Sequence, residues 1–538
     1  MSEADIFVQT ITPIQGVANI SNWSGWADAR VAAAARTTIR SVLRRVFSFP
    51  AMLATFLVGA VFAAGRTFSV DPDLWWHIKT GESLLNTHHW PTVDSYSFTV
   101  PGQPWIAGEW LGDAVIAFVA RHAGLQGLDA LLIVLGSAIL LALYGYATLR
   151  SHNSKAGFAV AAVLSVLANA SFTLRPQMLG YLFLVLTLIG LERFRQGKRK
   201  SIWLLPVLFA AWVNIHGSFV VGIGAIAVYL FSGLVSFRAG GVEAHRWNAN
   251  ERLRLEAVLL LCLSALCITP YGVQLAFYPF HVASSLPIGV ANVREWQSMP
   301  FNIAGGQIFL ALVLVFFLAQ IVFRFYLRLE EVVLVVGGIV MACLHLRFLL
   351  VFVPVFTPCF SVIVARWVPG YDHKKDRYVL NAALMGLLFV GMVHWFPSPA
   401  NLQRSVTEKF PVSAIEYLRQ HPVAGPMFNS YGFGGYLVLA GQKVFVDGRA
   451  DPYERGGSLA DYFYITQLRP GALTVLQNYG IQSCLLDRTE PLVTLLSAVP
   501  QWQEIYRDNV SVLFVRRNNQ MDRAQPVVAK QIVRSQGE

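Results

Sequence analysis

The chain has 538 residues, of which 55% are hydrophobic and 14% charged, with a formal net charge of +11. Soluble domains carry about a quarter charged residues, so this composition and its repeated long apolar runs exclude an ordinary soluble protein and predict a polytopic α-helical membrane protein. The positive charge requires no nucleic-acid partner, because lysines and arginines retained in cytoplasmic loops explain it. The five cysteines form no Cys-x-x-Cys pair, so neither a disulfide framework nor a zinc site is predicted.

Residues 1–49 are predicted to be a cytoplasmic segment that contains an amphipathic helix. Within its basic stretch, residues 30–45, Arg36, Arg40 and Arg44 are spaced to share one helix face, with valine and alanine elsewhere. We expect this helix to lie on the inner membrane surface.

Residues 50–398 are predicted to form the transmembrane domain. A long first outer loop, residues 66–126, follows the first span, and its apolar stretch 109–122 is expected to form a helix on the outer surface. About eleven spans are predicted, at 50–64, 128–149, 157–173, 178–192, 202–215, 218–235, 255–269, 305–323, 330–346, 348–365 and 379–396.

On this assignment the basic residues sort to one side of the membrane. The cytoplasmic loops hold Arg150, Lys155, Arg193, Arg195, Lys198, Arg199, Lys200, Arg238, Arg246, Arg252, Arg254, Arg324, Arg328, Lys374, Lys375 and Arg377. The outer connections hold little beyond Lys79, Arg121, Arg175, Arg294 and Arg347. This bias predicts a multi-pass protein of the bacterial inner membrane with its N-terminus in the cytoplasm and its C-terminus in the periplasm.

Residues 399–518 are predicted to form a soluble α/β module on the periplasmic side, followed by a disordered tail, residues 519–538. A proline opens the helix expected over 411–420. Short strands are expected near 444–446, 483–486 and 512–515, with glycine turns at 431–435 and 447–448.

A dense group of acidic and aromatic residues opens the first outer loop: Asp71, Asp73, Trp75, Trp76 and His77. If Asp73 caps a helix, it shares one helix face with His77. A carboxylate beside a histidine can act as a general base or hold a cation. Alternatively, both aspartates only cap the helix and the tryptophans belong to the interfacial aromatic belt.

Further polar residues are predicted on the same outer face, where ionisable groups at membrane depth are costly and therefore candidates for function. They are Glu109, Arg175, Gln177, His216, Arg294, Glu295 and Arg347. Arginines suit a phosphate or pyrophosphate, and tryptophans suit the apolar face of a sugar or an isoprenoid chain. Snorkelling or helix capping is the alternative for each residue alone, but their placement on one face favours a binding site.

The C-terminal stretch Val446-Asp447-Gly448-Arg449-Ala450-Asp451 resembles a catalytic acid motif. A strand followed by an Asp-Gly turn explains the stretch as well, and we favour this structural interpretation. Asp447 and Arg449 are then candidates for contact with the first outer loop.

The order of these features resembles the GT-C superfamily of membrane glycosyltransferases: a first span, an outer loop that opens with acidic residues, many spans and an outer C-terminal module. Over residues 50–518 the resemblance is carried by Asp71-Pro72-Asp73-Leu74-Trp75-Trp76-His77, Trp105…Glu109-Trp110, Arg175-Pro176-Gln177, Asn214-Ile215-His216-Gly217, Thr269-Pro270-Tyr271-Gly272 and Val446-Asp447-Gly448-Arg449. The Asp-x-Asp-x-Trp-Trp-His motif is similar to that of a bacterial subgroup related to the superfamily.

The resemblance implies a lipid-linked sugar donor, usually a polyprenyl phosphate, and a catalytic base in the first outer loop. That role falls on Asp71 or Asp73, and Asp73 is favoured because of its helical relation to His77. Many GT-C enzymes carry another acidic residue in the second outer loop, but here that loop reads Thr173-Leu174-Arg175-Pro176-Gln177. Glu109 is the candidate substitute, and participation of a divalent cation is left open.

Together with the loop charges, the resemblance implies an inverting glycosyltransferase with its active site at the periplasmic face. Asp73 is the expected base, His77 and Glu109 support it, and Arg175 and Arg347 hold the donor phosphate. The other substrate-binding candidates are Trp75, Trp76, Gln177, His216, Arg294 and Glu295. The expected partners are membrane lipid, a lipid-linked sugar donor, and a glycan, lipid or protein acceptor, with no nucleic acid.

Two other functions would use the same residues. A lipid or solute transporter would spread polar residues through the spans and break helices at mid-membrane. A non-catalytic envelope assembly protein would act through the C-terminal module and would pack Asp73 in a closed site with no groove to the lipid.

Overall fold

The structure is a computed structural model that describes residues 41–65, 71–169, 172–285 and 287–517. Most of the predicted amphipathic stretch, residues 30–45, lies outside the described residues, although residues 41–46 are helical. The tail predicted to be disordered, residues 519–538, also lies outside them.

The first part of the chain is a bundle of apolar helices. These helices are α1 (Phe49–Gly65), α2 (Leu74–Thr87), α3 (Trp110–Ser151), α4 (Ser154–Asn169), α5 (Gln177–Arg195), α6 (Leu205–Trp212), α7 (Phe219–Ser232), α8 (Ala249–Ala265), α9 (Val273–Ser285), α10 (Pro287–Asn292), α11 (Ala304–Phe323), α12 (Leu329–Leu344), α13 (Leu349–Val364) and α14 (Tyr378–His394). Three short strands, β1 (Phe237–Ala239), β2 (Val242–Ala244) and β3 (Leu327–Arg328), form a small sheet in the order β1-β2-β3. Buried side chains of α1, α3, α4, α5 and α13 fill one shared apolar core.

Among the described residues, four helical segments are long and apolar enough to cross a membrane: α3, α5, α11 and Leu346–Val364, which contains α13. A fifth would be α14 together with α15 (Pro399–Thr407), a pair bent by 60°. Each of the eleven predicted spans overlaps a helix, but α6 has only 8 residues and several others have 16 or 17. A helix of 17 residues is about 26 Å long, whereas the hydrocarbon core of a bilayer is about 30 Å thick. Length and composition therefore support four or five spans.

The predicted surface helix and the span that follows it belong to one helical segment, α3. Inside this segment, Gly124 adopts φ 57° and ψ −151°, which are not helical angles. Glycine reaches positive φ without a Cβ clash, so Gly124 breaks α3 between the stretch 109–122 and the predicted span 128–149.

Three ion pairs join the C-terminal ends of α3 and α5 to the start of α12. They are Arg150–Glu331, Arg195–Glu330 (2.6 Å) and Arg328–Glu192 (2.7 Å). Glu330 is fully buried, and the Arg195 guanidinium also lies 3.9 Å from the Trp247 ring. Because a buried carboxylate needs a paired cation, these contacts fix helix ends that the sequence assigns to the cytoplasmic side.

Residues 399–517, here called the C-terminal module, contain a four-stranded sheet with short helices around it. After α15, the helices are α16 (Val412–Gln420), α17 (Gly434–Leu439), α18 (Asp451–Arg455), α19 (Ser458–Thr466), α20 (Ala472–Asn478) and α21 (Pro491–Ala498). The strands are β4 (Met427–Asn429), β5 (Ser483–Asp487), β6 (Trp502–Arg507) and β7 (Ser511–Arg516), in the order β4-β5-β7-β6. β4 is parallel to β5, and the other neighbours are antiparallel.

The local elements expected in this module are found in part. The predicted helix over 411–420 and the strands near 483–486 and 512–515 correspond to α16, β5 and β7. The strand expected at 444–446 is wrong, because Val444 forms an isolated bridge to Ser97 of the first outer loop. The glycine turn expected at 431–435 is also wrong, since a 3-10 helix, Tyr431–Phe433, leads directly into α17.

A buried arginine ties the first outer loop to the C-terminal module. Arg449 Nη1 lies 2.7 Å from Asp94 of the loop, and Arg449 Nε and Nη2 donate to the two carboxylate oxygens of Asp447 at 2.8 and 2.7 Å. The Tyr453 hydroxyl also donates to Asp447 at 2.6 Å, and the guanidinium lies 4.7 Å from the Trp105 ring. The expected contact of Arg449 with the first outer loop is confirmed by its ion pair with Asp94. The Asp447 carboxylate has a structural role, because it holds Arg449 and Tyr453.

Replacement of Arg449 by methionine should release this link. Asp94 and Asp447 would then be buried carboxylates without their cation, which costs about 3–5 kcal/mol of unfolding free energy. Thermal unfolding in detergent should show the loss, and limited proteolysis should cut the loop around Asp94.

Arg419→Met is the matched control, because Arg419 is 63% exposed and pairs with the exposed Glu416. Such a surface pair contributes about 0–1 kcal/mol. An equal loss of stability in both variants would contradict the role given to Arg449.

Candidate active site

Asp71 and Asp73 lie at the start of α2, but the Asp73 side chain does not cap the helix. Asp71 Oδ1 accepts the backbone N–H of Asp73 at 2.9 Å. Asp73 occupies the N-cap position, where an aspartate commonly accepts a hydrogen bond from the first turn, yet its side chain makes no such bond. The alternative interpretation, in which Asp73 only caps α2, is therefore wrong.

The partner of both aspartates is Arg175, which precedes α5. Arg175 Nη2 lies 2.7 Å from Asp71 Oδ1, and Nη1 lies 2.8 Å from Asp73 Oδ2. Gly112 of α3 makes room for this segment, because a Cβ at that position would lie 2.6 Å from Pro176 Cβ. The planar guanidinium fork can serve two carboxylates at once.

The pKa values of the two aspartates move in opposite directions. Burial raises the pKa of Asp71, but the charge of Arg175 and the hydrogen bonds that Asp71 accepts bring it below the ordinary value. For Asp73, burial and the charge of Asp71 outweigh Arg175, so its pKa is raised. Asp73 is therefore the carboxylate of the pair that takes up a proton more readily.

A second arginine continues this charged group. Glu295 Oε2 lies 3.7 Å from Arg175 Nη1, and Glu295 Oε1 lies 3.7 Å from Arg347 Nη1. The Arg347 guanidinium lies 4.0 Å from the Trp296 ring. We call Asp71, Asp73, Arg175, Glu295 and Arg347 the ionic centre.

His77 follows Asp73 by one turn of α2 and faces two further carboxyl groups. Its Nδ1 lies 2.6 Å from Asp113 Oδ1, and its Nε2 lies 3.7 Å from Glu109 Oε2. Gly81 lets α2 touch α3, because a Cβ there would lie 2.1 Å from the Asp113 carbonyl oxygen. Burial lowers the pKa of His77, so its imidazole is neutral at pH 7.

His216 faces Glu109 from the turn before α7. Its Nε2 lies 3.5 Å from Glu109 Oε1, and its Nδ1 accepts the backbone N–H of Ser218 at 3.1 Å. Ser218 Oγ accepts from Trp212 Nε1 at 3.0 Å and lies 2.9 Å from His216 Nδ1. Burial, together with the charge of Arg347, lowers the pKa of His216 to about 3.

Glu109 occupies the N-cap position of α3 and, like Asp73, makes no capping bond. The start of α3 is held instead by Asn214, whose side-chain oxygen accepts from Trp110 Nε1 at 2.8 Å and whose carbonyl accepts from Leu111 N at 3.0 Å. Burial raises the pKa of Glu109 to about 7, with His77 acting in the opposite direction. The Glu109 carboxyl group can therefore gain or lose a proton near neutral pH.

The two tryptophans of the motif have different surroundings. Trp75 is 4% exposed and packs edge-on against Phe410 and Tyr436 of the C-terminal module. The Trp76 ring lies against His77, with ring centroids 3.7 Å apart. Trp75 thus has a clear packing role, and contact of either ring with substrate stays a prediction.

Gln177 and Arg294 complete the set of predicted binding residues. Gln177 begins α5, immediately after the segment that carries Arg175. Arg294 is exposed on the 3-10 helix Arg294–Trp296. Their contact with substrate also stays a prediction.

The C-terminal module covers one side of the ionic centre. A Cβ at Gly448 would lie 1.6 Å from Asp73 Oδ1, and a Cβ at Gly435 would lie 2.2 Å from the Pro72 carbonyl oxygen. These close approaches require glycine. The other side is open: the Glu295 side chain is 37% exposed, against 14% for Asp73.

Sequence reasoning missed Asp113, Ser218 and Gly448. Asp113 follows Glu109 by four residues, so the two share a helix face, and this signal was present in the sequence. Ser218 and Gly448 reach the site through contacts between distant segments, which no local pattern marks.

A metal site is not apparent in the described part of the chain. There, no group of three or more His, Cys, Asp and Glu side chains is arranged to hold a metal ion. Because His216 Nδ1 accepts a hydrogen bond, its Nε2 carries the hydrogen of the neutral ring and is not free to ligate a metal.

No protein-family model matches the chain, and no curated protein matches its sequence. Solved structures that resemble it include the oligosaccharyltransferase of Archaeoglobus fulgidus tethered to an acceptor peptide, at 10% identity and a TM-score of 0.49, covering 81% of this chain and 68% of that one. A second is the archaeal oligosaccharyltransferase AglB from the same organism with an inhibitory peptide and a dolichol-phosphate, at 10% identity and 0.47, covering 87% and 74%. A third is ArnT from Cupriavidus metallidurans bound to undecaprenyl phosphate, at 12% identity and 0.47, covering 86% and 96%.

The sequence identity to these three solved structures is only 10–12%. With TM-scores below 0.5, the chemistry of this site rests on the side chains of this chain.

Replacement of Arg175 by methionine should destabilise the protein in a pH-dependent way. Removal of one partner from a buried ion pair costs about 3–5 kcal/mol, and protonation of Asp71 or Asp73 relieves the cost. The loss should therefore be largest at alkaline pH and shrink as the pH falls, as measured by thermal unfolding in detergent.

Arg294→Met provides the control, because Arg294 is exposed on the same face. We expect it to change stability by at most about 0.5 kcal/mol. A loss in Arg175→Met that is small, or equal at all pH values, would contradict the shared ion pair.

Proposed function

We propose that this chain is a membrane glycosyltransferase that moves a sugar from a polyprenyl-phosphate-type donor to a glycan, lipid or protein acceptor. The observation that carries the proposal is the ionic centre, in which Asp71 and Asp73 share Arg175 beside a second arginine, Arg347. The proposal includes eleven spans in a bacterial inner membrane, a cytoplasmic N-terminus, and a periplasmic module formed by residues 399–518.

The surroundings of Arg175 suit a donor phosphate. Arg175 and Arg347 lie on either side of Glu295, and the nearest guanidinium nitrogen of each is 3.7 Å from a Glu295 carboxylate oxygen. The helices α2, α3 and α5 all begin at this site, and helix N-termini carry partial positive charge and unpaired N–H groups. A phosphate is therefore a stronger partner for the arginines than the distant Glu295 carboxylate.

Asp73 is the proposed base. When the donor phosphate draws on the charge of Arg175, less positive charge remains to stabilise the ionised Asp73, and its basicity rises. The acceptor oxygen then attacks the anomeric carbon, the bond from that carbon to the phosphate oxygen breaks, and the acceptor proton passes to Asp73. A single displacement of this kind inverts the anomeric configuration.

The distribution of charge favours this function over transport. The ionic centre lies at the N-terminal end of α5 and the C-terminal end of α12, and the Arg195–Glu330 pair lies at their opposite ends. Between these ends, residues 177–191 and 332–344 contain no charged side chain. A path for a charged solute needs polar groups along these helices, a length of about 20 Å.

The exposure of the site favours catalysis over a purely structural role in envelope assembly. The assembly alternative predicts closed packing around Asp73. Its neighbours Glu295 and Arg347 are 37% and 23% exposed, so a ligand can reach the ionic centre from that side.

Asp73→Asn should reduce transfer by about 100- to 10,000-fold, because the amide cannot accept the acceptor proton. The assay would use purified protein in nanodiscs, undecaprenyl-phosphate-linked hexoses and pentoses with a radiolabelled sugar, and a bacterial envelope extract as acceptor. Glu82→Gln, a carboxyl change on the same helix away from the ionic centre, should leave transfer near the wild-type rate. Full activity in Asp73→Asn would refute the assignment of the base.

Arg347→Met should raise the KM for the lipid-linked donor. A charge-assisted hydrogen bond contributes about 1.5–3 kcal/mol, which corresponds to an increase of about 10- to 150-fold. The matched control is Arg121→Met, since Arg121 is also on the outer side but bonds to Asn86 of α2 at 3.2 Å. A donor KM that is unchanged in Arg347→Met would contradict the phosphate contact.

A further inference from the structure

We propose that Glu109 is the general acid of the transfer and gives its proton to the phosphate oxygen that leaves the anomeric carbon. This inference rests on the proposed function and deepens it, because it adds a second carboxyl group whose role is opposite to that of Asp73. The observation that supports this inference is that the carboxyl groups of Asp73 and Glu109 have different partners.

Asp73 has a cation as its partner, whereas Glu109 has two imidazoles. Asp73 Oδ2 lies 2.8 Å from Arg175 Nη1, a contact that favours the ionised carboxylate. Glu109 Oε2 and Oε1 lie 3.7 and 3.5 Å from the Nε2 atoms of His77 and His216. Neutral imidazoles give a carboxylate much less stabilisation than a guanidinium does, so the contacts of Glu109 favour its ionised form less than those of Asp73 do.

The hydrogen bonds of the two histidines fit a protonated carboxyl group between them. His216 Nδ1 accepts from Ser218 N, so its Nε2 carries hydrogen and can donate to Glu109 Oε1. If His77 Nδ1 donates to Asp113 Oδ1, 2.6 Å away, a lone pair is left on Nε2. A hydrogen on Glu109 Oε2 thus faces an acceptor, and Oε1 faces a donor.

The charges around Glu109 are consistent with this protonation. His77 of α2, Asp113 of α3, His216 of the turn before α7, and the guanidinium groups of Arg175 and Arg347 face it. Burial raises the pKa of Glu109 to about 7, His77 opposes this, Asp113 adds to it, and the two arginines oppose it.

The contrast with the aspartates completes the assignment. Arg175 and hydrogen bonding bring the pKa of Asp71 below its ordinary value, although burial raises it. Burial raises the pKa of Asp73 as it raises that of Glu109, so the acid and the base are told apart by their partners, a guanidinium for Asp73 and two imidazoles for Glu109.

The step balances with both groups in place. As the acceptor oxygen bonds to the anomeric carbon, the bond from that carbon to the phosphate oxygen breaks. The acceptor proton goes to Asp73, and the proton of Glu109 goes to the departing phosphate oxygen. Because the Glu109 side chain is 29% exposed, solvent can return its proton after the product leaves.

The pH dependence of transfer tests this role, with the undecaprenyl-phosphate-linked donor that the wild-type protein uses. Wild-type kcat should fall as pH rises through about 7, because Glu109 loses the proton it must give. Glu109→Gln should lower kcat by about 100-fold or more and abolish this alkaline decline. Glutamine matches the shape of the protonated side chain, and a thermal unfolding curve checks that the variant is folded.

His216→Phe supplies a second readout that a merely structural role would not produce. The phenyl ring removes the N–H that can stabilise the ionised Glu109 carboxylate, so the alkaline decline of kcat should shift to higher pH. Glu82→Gln should retain both the rate and the profile of the wild-type protein.

The outcomes separate this inference from the proposed function. If wild-type protein transfers sugar but Glu109→Gln keeps the wild-type rate or the alkaline decline, the acid role is wrong and the transferase proposal stands. If wild-type protein transfers sugar from none of these donors, the proposed function itself is overturned, and the acid role with it.

Discussion

The ionic centre of this protein depends on the ion pairs of the Arg175 guanidinium. This guanidinium joins Asp71 and Asp73, which precede α2, to the segment before α5, with Glu295 of a third segment close by. Two aspartates this close together cannot both remain ionised without a cation between them. The same ion pair fixes Asp73 against the glycine turn at Gly448, so the membrane helices and the C-terminal module meet at one charged point.

Two helices of this site forgo the stability that capping would provide. Asp73 and Glu109 both occupy N-cap positions, and neither side chain accepts a hydrogen bond from its own helix. An N-cap bond contributes about 0.5–2 kcal/mol, and local rules of this kind are typically broken at functional sites. Each carboxyl group instead takes partners from another segment: Arg175 for Asp73, and the histidines for Glu109.

Much of this arrangement was predictable from the sequence, because hydrophobic runs and loop charges are local properties. They placed apolar helices where the structure has them and assigned Asp73, Arg175 and Arg347 to one face. The number of spans was harder to predict, since α6 has only 8 residues within the predicted span 202–215. The site was predicted less completely, because the Gly448 contact arises from tertiary packing, and the segment around Val444 pairs with the first outer loop instead of with the sheet.

At the opposite end of the bundle, the count of basic loop residues used to predict orientation includes arginines that form ion pairs in the folded chain. The two observations are compatible. The sequence assigns Arg150, Arg195 and Arg328 to the cytoplasmic side, and in the folded chain each pairs with a buried or nearly buried glutamate. The positive-inside rule depends on lysines and arginines and little on acidic residues, which is expected if orientation is set during insertion, before these pairs form. The same arginines are predicted to set the topology, and in the folded chain they are the cations that stabilise the buried carboxylates of α5 and α12.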